Sequence, residues 1–141
     1  MDAFDADALI YAAIPNDPLG LKVSTLFPTE VPAADAAPVG IGSVLLLPEV
    51  LTKPRRLGAR NEAETLDTFL AWLDLQPVDT AIAELAVALG VRYGLRAADA
   101  THLATAVHAG ADRFITNNRR DFPKTITEVA ITYPDDLGVP D

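Results

Sequence analysis

Short apolar runs alternate along this chain with longer segments in which apolar side chains recur every three or four residues. The short runs are typical of buried strands, and the longer segments are typical of helices that pack one face against a core. Strands are predicted at residues 1–5, 39–43, 76–78, 112–116 and 128–133. Helices are predicted over about 8–14, 18–27, 60–74, 79–90 and 97–109, with a further helix carrying LLLPEVL. Strands that alternate with helices predict an α/β fold with a mainly parallel central sheet.

Local signals predict where several of these elements begin and end. Asp7 is expected to cap the first helix, because a short acceptor side chain satisfies free N–H groups there. Gly90 and Gly110 are expected to end the last two helices. Pro48 cannot donate a helical hydrogen bond, so the LLLPEVL helix is expected to start late or to be kinked. Residues 28–40 hold three prolines and are predicted to form a loop.

Length and composition indicate one globular domain over residues 1–141. Half of the residues are hydrophobic, which is enough to build a core. No apolar run reaches the ~18–20 residues that span a bilayer, and MDAFDAD lacks the basic flank of a signal peptide. We therefore expect a cytoplasmic protein with no membrane contact. The absence of cysteine excludes disulfides, thiolate chemistry and cysteine zinc sites, and His102 and His108 lack the usual spacing of a helical zinc pair.

The charge distribution leaves room for local phosphate contacts only. A net charge of −9 argues against broad, nonspecific nucleic-acid binding, which needs a basic surface. Most of the basic residues nevertheless fall into two groups. The first group is Lys53, Arg55, Arg56 and Arg60, and the second is Arg113, Arg119, Arg120 and Lys124. Each residue alone is most simply a solvated surface side chain, but the grouping keeps phosphate binding open.

Four acids stand where a parallel sheet places its functional site. Asp5 closes the first strand, and Glu49 follows the second. Asp99 lies in the first turn of the last helix, and Asp121 follows the strand at 112–116. Singly, Asp99 could serve the helix dipole, Asp121 a turn and Glu49 an exposed helix position. Asp5 is the hardest to explain this way, because its strand should be central, and together the four predict a convergent acid cluster.

Such a cluster repels itself unless protons or a cation intervene. Hard cations such as Mg²⁺ or Mn²⁺ prefer oxygen ligands and keep several waters. One or two of them can activate water and stabilise the charge of an in-line phosphoryl displacement. This chemistry needs neither histidine nor cysteine, which agrees with their scarcity.

Three segments carry a resemblance to a known family. FDADALIYA, LLLPEVL and LRAADATHLATAVHAGADRFITNNRRDF resemble, in order, the motifs of PIN-domain ribonucleases, and most of all those of VapC toxins from toxin–antitoxin pairs. The resemblance extends over about residues 3–133, and its last block is the most specific. It implies a three-layer α/β/α sandwich and a Mg²⁺- or Mn²⁺-dependent endoribonuclease.

The resemblance also implies residue roles and partners. Asp5, Glu49, Asp99 and Asp121 would be the catalytic acids around one or two metal ions, with Asp5 and Asp99 as the firmest ligands. Thr116 and Asn118 would support this corner through hydrogen bonds. The expected partners are an RNA substrate, a second copy of the chain in a homodimer, and a small antitoxin whose tail enters the active-site groove. The candidate phosphate contacts are Arg119, Arg120, Lys53, Arg55 and Arg56.

The chain departs from the family pattern at two positions. Asp7 stands where Asn, Ser or Thr is common, so it either caps the first helix or adds negative charge to the metal site. Pro48, directly before Glu49, could change the aim of that carboxylate.

Three further side chains are assigned structural roles by default. His102 lies three residues after Asp99 and is expected to pack within the helix, although it could touch the site. Trp72 is predicted to be core or part of an interaction face. Tyr11 is predicted to be core or to line the antitoxin groove.

Two other functions compete with the ribonuclease. Asp-x-Asp after a hydrophobic strand resembles the nucleophile pair of haloacid-dehalogenase-like phosphatases, with Thr116, Lys124 and Asp135–Asp136 as later motifs. The short interval between Lys124 and Asp135 opposes this interpretation, and it leaves Glu49 and Asp99 without roles. The other alternative is a non-catalytic module that binds RNA or a partner, which the intact acid set opposes.

Overall fold

A computed structural model describes residues 1–138. The strands are β1 (Asp2–Phe4), β2 (Gly40–Ser43), β3 (Leu73–Gln76), β4 (Arg113–Ile115) and β5 (Ala130–Thr132). The helices are α1 (Ala6–Ala12), α2 (Pro18–Ser24), α3 (Leu46–Arg56), α4 (Arg60–Ala71), α5 (Thr80–Tyr93) and α6 (Ala97–His108), followed by a 3₁₀ turn at Pro134–Asp136. Among the described residues, no helix combines the length and the apolar character needed to cross a membrane.

The five strands form one parallel sheet in the order β3-β2-β1-β4-β5. The first strand of the chain is thus the central one. Ala3 pairs with Ile41 of β2 on one side and with Phe114 of β4 on the other. The prediction of an α/β fold with a parallel sheet is confirmed.

Helices cover both faces of this sheet, which confirms the three-layer arrangement. Successive side chains of a strand point to opposite faces. Phe4 and Ile115 therefore join the core formed with α1, α2, α3 and α4. Ala3 and Phe114 join a second core formed with α5 and α6. Any group at the strand ends is consequently flanked by helices from both layers.

A chain of aromatic rings holds the long 28–39 loop region against the first core. Phe27 packs between Phe4 and Phe69, with ring centroids 5.0 and 4.7 Å apart. Trp72, at the end of α4, donates its indole N–H to the Glu30 carbonyl at 2.8 Å. Trp72 thus fastens the predicted loop to the domain, a role that its sequence position did not predict.

The third strand lies earlier than the sequence predicted. β3 occupies Leu73–Gln76, whereas 76–78 was expected, and α4 ends at Ala71 instead of 74. Pairing with β2 decides the boundary, because Gly40 aligns with Leu73 and Ser43 with Gln76. Pro77 has no N–H to extend the ladder. The prediction at 76–78 is therefore wrong except for Gln76.

The fifth helix continues past its predicted end. α5 runs to Tyr93, and Gly94, with φ +67°, ends it in the left-handed conformation that favours glycine. Gly90 lies inside the helix, where an added Cβ would come within 3.4 Å of the Leu95 carbonyl and 3.7 Å of Ala100 Cβ. Gly90 is thus an interior residue with room for a methyl group, and Gly94 ends the helix. Gly110, with φ +70°, follows α6 as predicted.

The entry to α1 differs from the prediction as well. Asp5, with extended backbone, is the N-cap, and its side chain accepts a hydrogen bond from Ala6 N. Asp7 lies in the first turn and caps nothing, so the prediction that it caps α1 is wrong. α3 begins at Leu46, which puts Pro48 in the first turn, where no intrahelical N–H is needed. The prediction that this helix starts late is confirmed, and Pro48 removes no hydrogen bond from it.

Gly20 is a test of how tightly α1 and α2 pack. A Cβ at Gly20 would lie 2.0 Å from the Tyr11 carbonyl oxygen, a backbone atom that cannot rotate away. Gly20→Ala is expected to lower the free energy of unfolding by about 1–3 kcal/mol, since the helices must separate. Urea denaturation measures this, with Gly138→Ala as the control because nothing lies within 4 Å of its added methyl group. Equal stability of the two variants would contradict the close contact.

Candidate functional site

The predicted acids lie at the carboxyl edge of the sheet, around the point where the strand order reverses. From the central β1, the chain adds β2 and β3 on one side and later β4 and β5 on the other. Asp5 directly follows β1 and Thr116 directly follows β4. The Asp5 N–H donates to the Ile115 carbonyl at 2.9 Å, which keeps the two strand ends together. Parallel α/β sheets bind ligands in the crevice at such a reversal.

Asp5 is a buried carboxylate with a defined partner for each oxygen. Its residue is 4% exposed. Oδ1 accepts from Ala6 N at 2.9 Å, and Oδ2 accepts from the Thr116 hydroxyl at 2.8 Å. Thr116 is fully buried. The supporting role predicted for Thr116 thus takes the form of a direct hydrogen bond to Asp5.

The loop after β4 holds Asp121 through Asn118. Asn118 Nδ2 donates to Asp121 Oδ2 at 2.8 Å, and the Asp121 N–H donates to Asn118 Oδ1 at 3.1 Å. The Asn118 N–H in turn donates to Thr116 Oγ1 at 3.0 Å. Phe122 anchors the loop, because its buried ring packs edge-on against Phe114 at 5.0 Å. Asn118 therefore links Asp121 to Thr116, and through it to Asp5.

Asp7 belongs to this corner and not to the helix cap. Its Oδ1 accepts from the Asn117 N–H at 3.0 Å and lies 3.4 Å from the Thr116 hydroxyl. Asp7 thereby ties the first turn of α1 to the loop after β4. Of the two roles considered for this residue, the structure supports the additional negative charge near the acid cluster.

Glu49 reaches the cluster from α3 and contacts a residue that the sequence had assigned to packing. His102 Nε2 lies 2.9 Å from Glu49 Oε2. The His102 side chain is 1% exposed and that of Glu49 is 32% exposed. The position of His102, one turn after Asp99 on α6, was the available signal, since residues three apart share a helix face. A contact between two helices from different layers carried no sequence signal.

Asp99 shares its surroundings with the other acids. It is partly buried in the first turn of α6. Burial raises its pKa, and the charges of Asp121, Glu49 and Asp7 raise it further, while His102 lowers it. Acids from α1, α3 and the loop after β4 are therefore close enough to Asp99 to affect its charge.

Burial has the largest effect on the pKa of Asp5, and it outweighs the neighbours that stabilise the charged form. Burial and the charge of Asp7 raise the pKa of Asp5 to about 7, against the lowering effects of His102, Thr116 and Ala6. For His102, burial disfavours the charged ring, yet the hydrogen bond to Glu49 and the charges of Asp5 and Asp99 raise its pKa above the usual value. The site thus stores negative charge that a proton or a cation must compensate.

The donor set suits a hard cation, although the side chains are not arranged around one. Within residues 1–138, no three or more His, Asp or Glu side chains are placed so that they could hold a metal ion. Asp5, Glu49 and Asp121 instead bond to Thr116, His102 and Asn118 respectively. Carboxylate oxygens are nevertheless the ligands that Mg²⁺ and Mn²⁺ prefer. Metal coordination by these acids stays a prediction.

The first basic cluster lies on the helix that carries Glu49, except for Arg60, which begins α4. Lys53 follows Glu49 by one turn and Arg56 by two, so the three share a face of α3. Both cations are exposed, and neither forms an ion pair within residues 1–138. Arg55, on another face, pairs with Asp67 at 2.9 Å.

The second basic cluster is largely engaged within the protein. Arg119 pairs with Asp135 at 2.6 Å and lies 4.4 Å from the centre of the Tyr133 ring. Lys124 pairs with Asp136 at 2.7 Å. Arg113 forms a two-pronged pair with Asp2, and Arg120 is exposed. The two clusters are therefore not equally available to a phosphate.

Comparisons with known structures give the same architecture. A toxin–antitoxin complex from Klebsiella pneumoniae contains a chain that superposes with a TM-score of 0.73 at 23% identity, covering 95% of this chain and 98% of that one. VapBC2 from Rickettsia felis, solved with a DNA fragment from its promoter, contains a chain with a TM-score of 0.67 at 16% identity, covering 94% and 97%. At these identities the likeness is one of fold. A comparison with curated protein sequences gives no match.

A comparison with family models tests family membership, which a likeness of fold at these identities does not. The model of the PIN domain matches residues 5–126, from the first predicted acid to beyond the fourth. The interpretation as a haloacid-dehalogenase-like phosphatase is therefore wrong, and Lys124, its proposed lysine, pairs with Asp136. Since the match covers most of the chain, the protein belongs to the PIN domain family.

Proposed function

We propose that this protein is a divalent-metal-dependent endoribonuclease that acts as the toxin of a toxin–antitoxin pair. One observation carries the proposal: a buried Asp5 carboxylate at the central strand end that forms no ion pair within residues 1–138, near further acids whose charges act on one another. Membership of the PIN family, a family of nucleases, agrees with it.

Each acid has a proposed part in cleaving an RNA phosphodiester bond. Asp5 and Asp99 would hold one Mg²⁺ or Mn²⁺, and Glu49 and Asp121 would complete the site. A bound divalent cation supplies activation of water and compensation of charge as the phosphate is displaced in line. Thr116 keeps Asp5 oriented and Asn118 keeps Asp121 oriented, through the hydrogen bonds described above.

The substrate approaches along the exposed face of α3 in this proposal. Lys53 and Arg56 lie beyond Glu49 on one helix face and are free to contact phosphates, whereas Arg119 must first leave Asp135. The remaining candidates, Arg55 and Arg120, are secondary contacts. An acidic protein then captures RNA through a narrow basic track that begins at the site.

The toxin assignment brings two partners. One of the solved structures named above is a toxin–antitoxin complex, and the other is VapBC2 with a fragment of its promoter. Both support a small antitoxin whose tail occupies the active-site groove. A homodimer is the proposed oligomer. A second candidate function, a non-catalytic PIN module that binds RNA or a partner, is favoured by one observation: the acid oxygens bond to protein groups in this conformation.

Removing a proposed ligand separates these two functions. Asp5→Asn and Asp99→Asn are each expected to lower the rate of RNA cleavage by about 10²-fold or more, because a neutral amide loses the cation. Cleavage of a mixed RNA pool in Mg²⁺ or Mn²⁺, with and without EDTA, measures the effect, and circular dichroism checks the fold. Asp35→Asn, in the exposed loop before β2, is the control. Equal cleavage by all proteins would point to a contaminant, and no cleavage by any would favour the binding module.

Asp5 also predicts a pH dependence of stability in metal-free protein. Folding raises the pKa of Asp5 from 3.8 to about 7, so between these values the folded chain binds a proton that the unfolded chain has lost. The free energy of unfolding therefore falls as pH rises through this window. Asp5→Asn should remove this contribution and be more stable than wild type at pH 8 by on the order of 4 kcal/mol.

Urea denaturation in EDTA at pH 5 and pH 8 measures this contribution. Asp35→Asn again controls for the loss of one exposed negative charge. If Asp5→Asn and wild type change stability in parallel between the two pH values, the raised pKa of Asp5 is wrong.

The basic track predicts a specific change in salt dependence. Lys53→Ala with Arg56→Ala should weaken RNA binding and reduce the slope of log K against log salt by about 1.4, since each lost single-strand phosphate contact contributes about 0.7. Binding is measured in an Asp99→Asn background to prevent cleavage. Arg92→Ala, an exposed cation of α5 paired with Glu128, is the matched control. An unchanged slope in the double variant would exclude the track along α3.

A further inference from the structure

We infer that His102 is a positioning residue that holds the Glu49 carboxylate at the acid cluster in one orientation. This inference rests on the proposed metal-dependent function, because it concerns how Glu49 meets a cation. It adds a residue that the predicted acid set does not include.

The contact joins the two helical layers across the carboxyl edge of the sheet. Glu49 lies on α3, whose buried residues belong to the first core, and His102 lies on α6, whose buried residues belong to the second. Their side chains meet at 2.9 Å, between Nε2 and Oε2. The bond therefore fixes Glu49 relative to Asp99, which lies one turn before His102 on the same helix.

The two partners differ in burial, and this difference indicates which side chain restrains the other. Glu49 is a flexible side chain that is 32% exposed, on the first turn of a helix. The His102 ring is 1% exposed, within a run of α6 residues that are all buried. A ring held by packing on all sides restrains a partly exposed carboxylate that it contacts, and the bond to Oε2 leaves Glu49 Oε1 available to another ligand.

The other ring nitrogen argues against a purely packing role. His102 Nδ1 is buried and has no hydrogen-bond partner within the described residues. A buried polar atom without a partner is destabilising, so an apolar side chain of similar size would fill the space better. The hydrogen bond between Nε2 and Glu49 accounts for an imidazole at this position. Hydrogen bonds from groups behind a metal ligand commonly alter metal affinity by 10–100-fold.

The test compares a variant that keeps the volume with one that keeps a donor. His102→Leu fills the space without a hydrogen bond, and His102→Gln offers an amide N–H to Glu49. Mn²⁺ titration of the metal-free proteins by calorimetry is expected to show about tenfold weaker binding in His102→Leu, with part of the affinity restored in His102→Gln. RNA cleavage should lose kcat with little change in KM, since His102 does not contact the substrate.

Two controls tie the effect to Glu49. His108→Leu removes the other histidine of the same helix, which is exposed, and should bind Mn²⁺ like wild type. In a Glu49→Gln background, His102→Leu should cause no further loss of Mn²⁺ affinity, because the carboxylate to be positioned is gone. If His102→Leu weakens Mn²⁺ binding as much in the Glu49→Gln background as in protein that keeps Glu49, the inference is overturned. Equal Mn²⁺ affinity of His102→Leu and His102→Gln would overturn it as well.

The outcomes also separate this inference from the proposed function. Wild-type protein that binds Mn²⁺ and cleaves RNA, together with unaltered His102→Leu, would overturn the positioning role alone. Wild-type protein that neither binds Mn²⁺ nor cleaves RNA would overturn the metal-dependent function and the positioning role with it.

Discussion

A hydrogen bond from the buried Thr116 hydroxyl to the Asp5 carboxylate joins the ends of the two strands between which the sheet reverses its order. The polar contacts of the site branch from it, except for the separate contact between Glu49 and His102. The second Asp5 oxygen caps α1, and Thr116 Oγ1 also accepts from Asn118, which holds Asp121. Displacing Asp5 would therefore disturb the start of a helix and the conformation of a loop as well as one charge.

The buried carboxylates lower the stability of the fold. A carboxylate buried beside other carboxylates costs free energy, and the cost is tolerated only when something compensates the charge. The two hydrophobic cores contribute the opposing stabilisation. Phe4 and Ile115 belong to the core on one face of the sheet, and Ala3 and Phe114 belong to the core on the other. Conflict between local stability and the placement of a group is typical of functional sites.

The comparison of sequence and structure separates local from nonlocal information. The position of Asp5 was predictable, because a short apolar strand ends there and strand ends converge in a parallel sheet. β3 was misplaced because LDLQ has no strong strand signal and its bounds come from pairing with β2. Asp7 was misassigned because its partner, the Asn117 N–H, lies far along the chain. The contact between Glu49 and His102 escaped prediction for the same reason.

The central place of β1 in the sheet has a consequence for how this chain is made. On a ribosome, Asp2–Phe4 emerge well before one of their two neighbours in the sheet, Arg113–Ile115, which lies 111 residues later in the chain. Until Thr116 has emerged, Asp5 lacks the hydroxyl that orients it, and the corner formed with Asn118 and Asp121 does not exist. Closing such a long-range parallel pair is slow compared with forming local helices. A nascent chain therefore has no assembled site until this late pairing forms, and any activity that needs the site is absent until then.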